Sequence, residues 1–468
     1  MPPSAPTLDS AQVRTIRLAA QGMALAPGMP PAHVVARVGW LRTLGGADAY
    51  LALHARQNRI ARGLIDTQVQ HGELRVVPAV RGCIYLAPKT DVALCLSIAE
   101  SMSSARAARE HDKAGIKKGE IAKLSDQVST LLTTKGPMTT DALRRALPDG
   151  SIRSLGDAGK KVGISSPLPP ALRALEFARR IERTPEDGRL DHERYLWRAL
   201  GPSTPVAMPS DLPHLHAQLL ERFVHFAGVA TLPMFCAWSG LSRRDATAAV
   251  PFAAVDCVVA DHQDAVCRTD SNDLLRMAPA VDGAVAFLSF EDNLVHLYGG
   301  PAHLVDDAHL DIEVPSWGAS KSKAAPTHTL RTAPHLALRP LLADGCLSGF
   351  WEYDPDVGVA MPRCFRTPSR EAQKKIEEHS FAVSAFLRTE IGHGRSFSLD
   401  TDDELRLRCK LLRSIGGDRV VVVPAPTRSK APRMPSPTKP RATTQKPAAA
   451  TVAKSKPAAG KLRKKPKD

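Results

Sequence analysis

The sequence predicts an α+β protein: tandem winged-helix (helix-turn-helix) units, then a β-barrel-like domain, then a disordered basic tail. Three observations predict it. A helical pair, a basic helix and a short pair of strands recur three times before about Met277. Alternating apolar runs with turn signals then replace helical spacing. From Pro424 to Asp468 the chain has almost no large apolar residue. The expected units are residues 1–115, 116–205 and 206–276 for the three winged helices, 277–423 for the β-rich part with a covering helix, and 424–468 for the tail.

The middle copy justifies the pattern best. Lys118–Thr134 has helical spacing and stops at Gly136-Pro137. Thr139 or Thr140 can cap a helix from Asp141 to Leu147, which ends at Pro148-Asp149-Gly150. After a loop, prolines open a helix with Leu172, Leu175, Ala178 and Ile181 near one face. Its other side carries Arg173, Arg179, Arg180 and Arg183. Asp187-Gly188 then predicts a hairpin returning through "RLDHERYLWRAL". Helix, helix, basic helix, hairpin is the order of a winged helix.

The third copy starts at Leu212. Gly228 and Gly240 stop its first two helices, and Ser242 with Asp245 caps a third that shows Arg243 and Arg244. "VDCVVADHQDAVCRT" reads as strand, turn, strand. The first copy is looser, with "RGLIDTQVQHG" as the basic helix and "ELRVVPAVRGCIYLAP" as the strand pair. Beyond Met277, "AVAFLSFEDNLVHLYGG", "HLDIEVPSW", "APHLALRPLLADGCLSGFWEYD" and "DRVVVVP" read as strands, with one helix from Ser369 to Ile391.

Composition bounds the function classes. With 468 residues, 43 % hydrophobic and 24 % charged, the chain is an ordinary globular protein of several domains. No apolar run reaches the roughly 18 residues of a membrane span. The first residues show no secretory signal, so a cytoplasmic protein without membrane contact is expected. Eight cysteines without a CxxC pair fit a reducing compartment and argue against a zinc ribbon. Sixteen histidines show no ligand spacing: His214 and His216 are two apart, and His303 and His309 lack partners. No metal and no cofactor are expected, and the chain is taken as a monomer.

The net charge of +15 is unevenly placed. Residues 424–468 hold thirteen Lys or Arg and one acid, a net of +12, leaving +3 for the body. Such a tail binds polyanions by counterion release without reading sequence. A merely solubilising tail is the plain alternative.

Five segments resemble the AlkZ/YcaQ-like winged-helix DNA glycosylases, in that family's order. They are "TLGG" with "LALHAR" (Thr43 to Arg56), "VVPAVRGCIYL" (Val76 to Leu86), "RFVHFAGVATLPMFCAWSGLSRRDA" (Arg222 to Ala246), "FLSFEDNLV" (Phe287 to Val295) and "GFWEYDP" (Gly349 to Pro355). The resemblance implies a bacterial-type fold of tandem winged helices and a β-barrel, a double-stranded DNA partner, and hydrolysis of N-glycosidic bonds of alkylated or crosslinked purines. The family's catalytic signature, Gln-x-Gln or Gln-x-Asp, falls here on Asp48 and Tyr50, and there is no Gln.

The chemistry needs a group that stabilises an oxocarbenium-like sugar and positions water. Asp48 suits this, and Tyr50 can orient water or stack on a base. Asp48 equally fits a helix cap, and Tyr50 a core residue. His54, Arg56 and Arg81 are candidate phosphate contacts, as are Arg173, Arg179, Arg180, Arg183, Arg243 and Arg244. The bland reading of these arginines is a solvated face paired to Glu176, Glu182 or Asp245. Glu291-Asp292 and Glu352/Asp354 are competing carboxylates, read as turn and strand-end polarity beside Trp351. A non-catalytic winged-helix or nucleoid-associated DNA binder is the alternative function.

Overall fold

The structure, a computed structural model, describes residues 6–415 apart from 24, 26–27, 58–59, 202–206, 269–282 and 316–326. The basic tail and the strand expected at "DRVVVVP" lie outside the described residues.

The chain opens with strand β1 (Thr7–Leu8) and helix α1 (Ser10–Ala20), started by a capping box of Asp9 and Gln12. One order of elements then runs three times, with one extra helix in the second copy. The first copy is α2 (Pro31–Val38), β2 (Leu41–Arg42), α3 (Asp48–Gln57), α4 (Arg62–Gln70), β3 (Leu74–Pro78) and β4 (Ile84–Pro88). A long helix, α5 (Val92–Lys113), leads out of it. The second is α6 (Glu120–Lys135), β5 (Met138–Thr139), α7 (Thr140–Ala146), α8 (Gly156–Lys161), α9 (Leu168–Phe177), β6 (Ile181–Pro185) and β7 (Tyr195–Ala199). The third is α10 (Leu212–Ala227), β8 (Val229–Ala230), α11 (Leu232–Ser239), α12 (Arg243–Ala249), β9 (Asp256–Ala260) and β10 (Gln263–Cys267). In each, the short first strand pairs antiparallel with the last, giving sheet orders β2-β4-β3, β5-β7-β6 and β8-β10-β9. Strand β1 adds parallel to β9.

The remaining elements are β11 (Val285–Phe287), α13 (Asn293–His296), β12 (Glu313–Pro315), β13 (Thr327–Thr329), β14 (Arg339–Ala343), β15 (Cys346–Asp354), β16 (Val359–Cys364), α14 (Arg370–Ala385) and α15 (Asp402–Ser414). Strands β11-β14-β15-β16 form a linear antiparallel sheet, half a barrel rather than a closed one. The covering helix α14 lies on it and runs on as a π-helix through Phe386–Ile391.

Three expectations need correction. The proline-opened helix α9 stops at Phe177, where Arg179 at positive φ turns the chain, so Ile181 and Arg183 lie on β6 and not on a helix face. "FLSFEDNLV" is not a strand beyond Phe287, because Asp292 caps α13 by accepting from the Leu294 N–H at 2.9 Å. Nor does one helix alone interrupt the β-rich part. Thr401 and Glu404 make a capping box that starts α15, whose Leu405, Cys409 and Leu412 are buried. The signal was legible as Thr-x-x-Glu.

The hairpin at Asp187-Gly188 is also looser than a two-residue turn. Its strands part after Pro185 and Tyr195, and the intervening loop carries the buried Leu190 back to α3. The loop is spent on packing. By contrast the β9–β10 turn is tight, with Asp261 and His262 both at positive φ, as a type I′ hairpin needs.

The second copy has its own core, built on Leu124, Val128, Leu143, Leu172 and Trp197. The first and third copies merge instead. Trp40 sits 5.7 Å from both Phe226 and Trp238 and 6.3 Å from Tyr85, in a cluster that continues to Leu342 and Phe350 of the sheet. A second shared cluster packs α2–α4 on Trp351 and Phe386. These shared cores fix the start of α3 against the sheet. Among the described residues no helix is long and apolar enough to cross a membrane.

Candidate active site

Asp48 is the first residue of α3. The Gly45-Gly46 pair before it is explained by close approach: a Cβ on Gly46 would meet the Ser396 carbonyl oxygen at 2.3 Å. The segment around Ser396 is tied down there by the Ala47 N–H donating to Arg395 O at 2.8 Å and the Ser398 N–H donating to Leu44 O at 2.9 Å. The chain's C-terminal part thus closes over the start of α3.

The Asp48 side chain does not cap its helix. Both oxygens are buried, and neither has a hydrogen-bond partner of ordinary geometry. The nearest cation is Arg339, whose Nε lies 3.5 Å from Oδ1. Burial pushes the Asp48 pKa up to about 7, while Arg339, Arg408 and a loose hydrogen bond from the Phe290 N–H pull it down without balancing that cost. At that value Asp48 changes charge near neutral pH.

A small pocket of about 10 Å³ opens over Asp48, close to the room one water needs. Arg42, Ala52, Ser289, Glu291 and Asn293 line it. Arg42 and Glu291 are ion-paired at its side. Loop 288–293 is held by Asp292, which pairs bidentately with Arg56 at 2.7 and 2.8 Å. Just outside, Glu291, His296 and His335 bring ligand atoms within 4.8 Å of one another, a grouping that spacing could not reveal. Distance alone would let the trio hold a cation, but the Arg42 guanidinium already sits on Glu291 and opposes one. His296 is kept neutral by burial, its pKa lowered to about 4.

Behind Asp48 lies a chain of buried charges. Arg339 Nη1 is 3.0 Å from Glu352 Oε2, Arg408 Nε is 3.6 Å from the same oxygen, and Arg408 Nη2 is 2.8 Å from Asp400. Period two on β15 did place Glu352 and Asp354 on one face, but it could not show that Glu352 turns to Arg339 and Asp354 to Arg413. Arg339, Arg408 and Asp400 gave no sequence signal, because Arg339–Glu352 and Arg408–Asp400 pair at separations of 13 and 8 residues that match no local motif.

The other expected residues separate. Tyr50 is fully buried; its hydroxyl donates to Asp66 at 2.6 Å and accepts from the Leu190 N–H at 2.8 Å. It faces the loop of the second copy, not the pocket. His54 is buried against Phe386, with its pKa lowered to about 4 by desolvation. Arg56 is held inside by Asp292, Ala52 O and Gln21, so neither residue reaches phosphate. Arg183 is bound by Glu176 and stacked 4.9 Å over Trp197. Arg179 is half-buried at positive φ and donates to Ser97 Oγ at 3.0 Å. Arg81, Arg173, Arg180, Arg243 and Arg244 are exposed, Arg180 with a 3.4 Å contact to Asp126.

Arg179, Arg180 and Arg183 line a larger cavity of about 1010 Å³ between α5 and the second copy, together with Arg75, Lys89 and Leu96. It lies apart from Asp48, and its acids Glu176 and Glu182 are engaged by Arg183 and by Arg75 and Arg198.

Comparison with known proteins agrees with this architecture. The solved Streptomyces sahachiroi DNA glycosylase AlkZ is similar with a TM-score of 0.61 and 17 % identity, over 84 % of this chain and 99 % of that one; at this identity the likeness is one of fold. No curated protein sequence matches the chain. The family model described as "DNA glycosylase AlkZ-like" matches residues 35–386, most of the chain. The chain therefore belongs to the AlkZ-like DNA glycosylase family.

Proposed function

We propose that this protein is a monofunctional DNA glycosylase that hydrolyses the N-glycosidic bond of alkylated or crosslinked purines, with Asp48 as its catalytic group. One observation carries this reading: Asp48 is a buried carboxylate that spends neither oxygen on its own helix and borders a water-sized pocket. A cationic N-alkylated purine leaves as a neutral base, so no general acid is required. One carboxylate then suffices, to attract the developing sugar cation and to take a proton from water. Arg42 and Glu291 flank the water's place, and Glu291 adds a second negative group at the sugar's side.

The three repeats of helix, strand, two helices and two strands, with the extra helix α8 in the second, fit winged-helix units, and α4, α9 and α12 stand where such units carry their recognition helix. Arg243 and Arg244 on the first turn of α12, Arg173 on α9 and Arg81 at the β3–β4 tip are the phosphate contacts this reading assigns. The basic tail adds affinity without sequence preference. Domain limits near 115, 205, 276 and 423, a monomeric state and a cytoplasmic setting belong to the same proposal.

The test is abasic-site formation on duplex DNA carrying N7-methylguanine, by the full chain and by Asp48→Asn. Release by the first and its loss in the second supports the reading. The small pocket favours one competitor, a DNA binder that does no chemistry, since a base cannot enter it. Duplex binding with no release by either protein would select that competitor.

A further inference from the structure

Asp48 borders an ionic chain with an odd charge count. Three carboxylates, Asp48, Glu352 and Asp400, share two guanidiniums, Arg339 and Arg408. The hydrogen bonds are unevenly distributed. Glu352 accepts from Arg339 Nη1 at 3.0 Å and from the Arg339 N–H at 3.2 Å. Asp400 accepts from Arg408 at 2.8 Å and from the Ser396 and Phe397 N–H groups at 3.0 and 3.3 Å. Asp48 accepts none of ordinary geometry and only a loose one from the Phe290 N–H.

Arg339 is fully buried and fixed on all sides except one. Its Nη2 donates to Gly394 O and Ser396 Oγ, both at 2.7 Å, and its Cζ lies 5.0 Å over the Trp351 ring. Only Nε has no hydrogen bond, and Nε is the atom that is ion-paired with Asp48 at 3.5 Å. A buried donor without an acceptor costs about 1–3 kcal/mol, so such a group calls for an explanation.

We propose that Arg339 is the positioning residue of the Asp48 site: it sets the carboxylate's charge and direction from behind, without touching substrate, and Arg408 tunes it through Glu352. The arrangement attracts Asp48 without occupying its oxygens, which stay available to the pocket. It also makes α15 part of the site, since α15 carries Arg408 into the chain of charges. For its activity readout the proposal rests on the glycosylase reading; for its stability readout it does not.

The groups acting on Asp48 are Arg339 from β14, Glu352 from β15 and Arg408 from α15, with Arg42 from β2 and Glu291 on the pocket side. The experiment is single-turnover base release from N7-methylguanine duplex across pH 5.5–9, with Arg339→Gln, Arg339→Lys and Arg408→Gln in the full chain. The wild-type rate rises with pH through a midpoint near 7. Arg339→Gln moves that midpoint up by about one unit or more, Arg408→Gln moves it less in the same direction, and Arg339→Lys moves it back. A rate lowered equally at every pH, with the midpoint unmoved, overturns the proposal. If Arg339→Gln does not fold, Arg408→Gln decides by the same criterion.

If the wild type releases no base, the glycosylase reading fails while the positioning claim is read from thermal unfolding at pH 8. Asp48→Asn must then raise Tm more in the Arg408→Gln background than in wild type. Equal effects in both backgrounds overturn the claim.

Discussion

Arg56 and Asp292, 236 positions apart, meet in a bidentate ion pair in which both side chains have no solvent exposure. Asp292 also caps α13 and accepts from Ser289 Oγ at 3.2 Å. One pair thus ties the helix that begins at Asp48 to the loop that carries Ser289 and Glu291. Breaking it leaves an uncompensated buried charge. Arg56→Met or Asp292→Leu alone should cost about 3–5 kcal/mol in urea unfolding, and the double variant clearly less than their sum. Additive costs would mean that the two charges do not depend on each other.

Asp48 should make the fold less stable as pH rises. Its folded pKa of about 7 lies above the unfolded carboxylate value, so between those values the folded state binds more protons. Stability from this group is full below the unfolded pKa and is lost as pH rises through about 7. His54 and His296 act oppositely, because their lowered pKa values make the unfolded state bind more protons in acid. The difference between wild type and Asp48→Asn cancels the histidines. From pH 5 to pH 8 that difference should move by about 2–3 kcal/mol in favour of the variant. A pH-independent difference would show that Asp48 does not titrate in this range.

Tyr50→Phe separates packing from chemistry. It removes the hydrogen bond to Asp66 and the acceptor for the Leu190 N–H, at a cost of about 1–3 kcal/mol. Base release per folded molecule should stay within about twofold. A tenfold loss, about 1.4 kcal/mol in the barrier, would place the hydroxyl at the reacting atoms.

Arg243 and Arg244 stand exposed on the first turn of α12. Replacing both with Ala should weaken duplex binding alike for all sequences. It should also reduce the slope of log K against log salt by about 2, near one for each phosphate contact. An unchanged slope would put this turn away from the DNA.

Local interactions are legible in short stretches of the chain. The caps at Thr139, Ser242 and Ser369, the β9–β10 turn and the repeated element order depend on residues a few positions apart, so the chain's own spelling determines them. The family is also legible, through five short segments in order that the AlkZ-like match supports. Which arginines face DNA is not. Arg183 and Arg56 look like any basic helical or strand residue until Glu176 and Asp292 fold against them.

Tertiary structure alone decided the site's character. Whether Asp48 caps a helix or waits beside a pocket depends on Arg339, Glu352, Arg408 and the Ser396 segment, which arrive from about 290 to 360 residues later. Electrostatic forces and desolvation act through space, and their strength depends on burial that no stretch of sequence contains. The sequence determined a carboxylate at the start of a helix; the packing of the sheet and α15 behind it made that carboxylate an acid with a pKa near neutral.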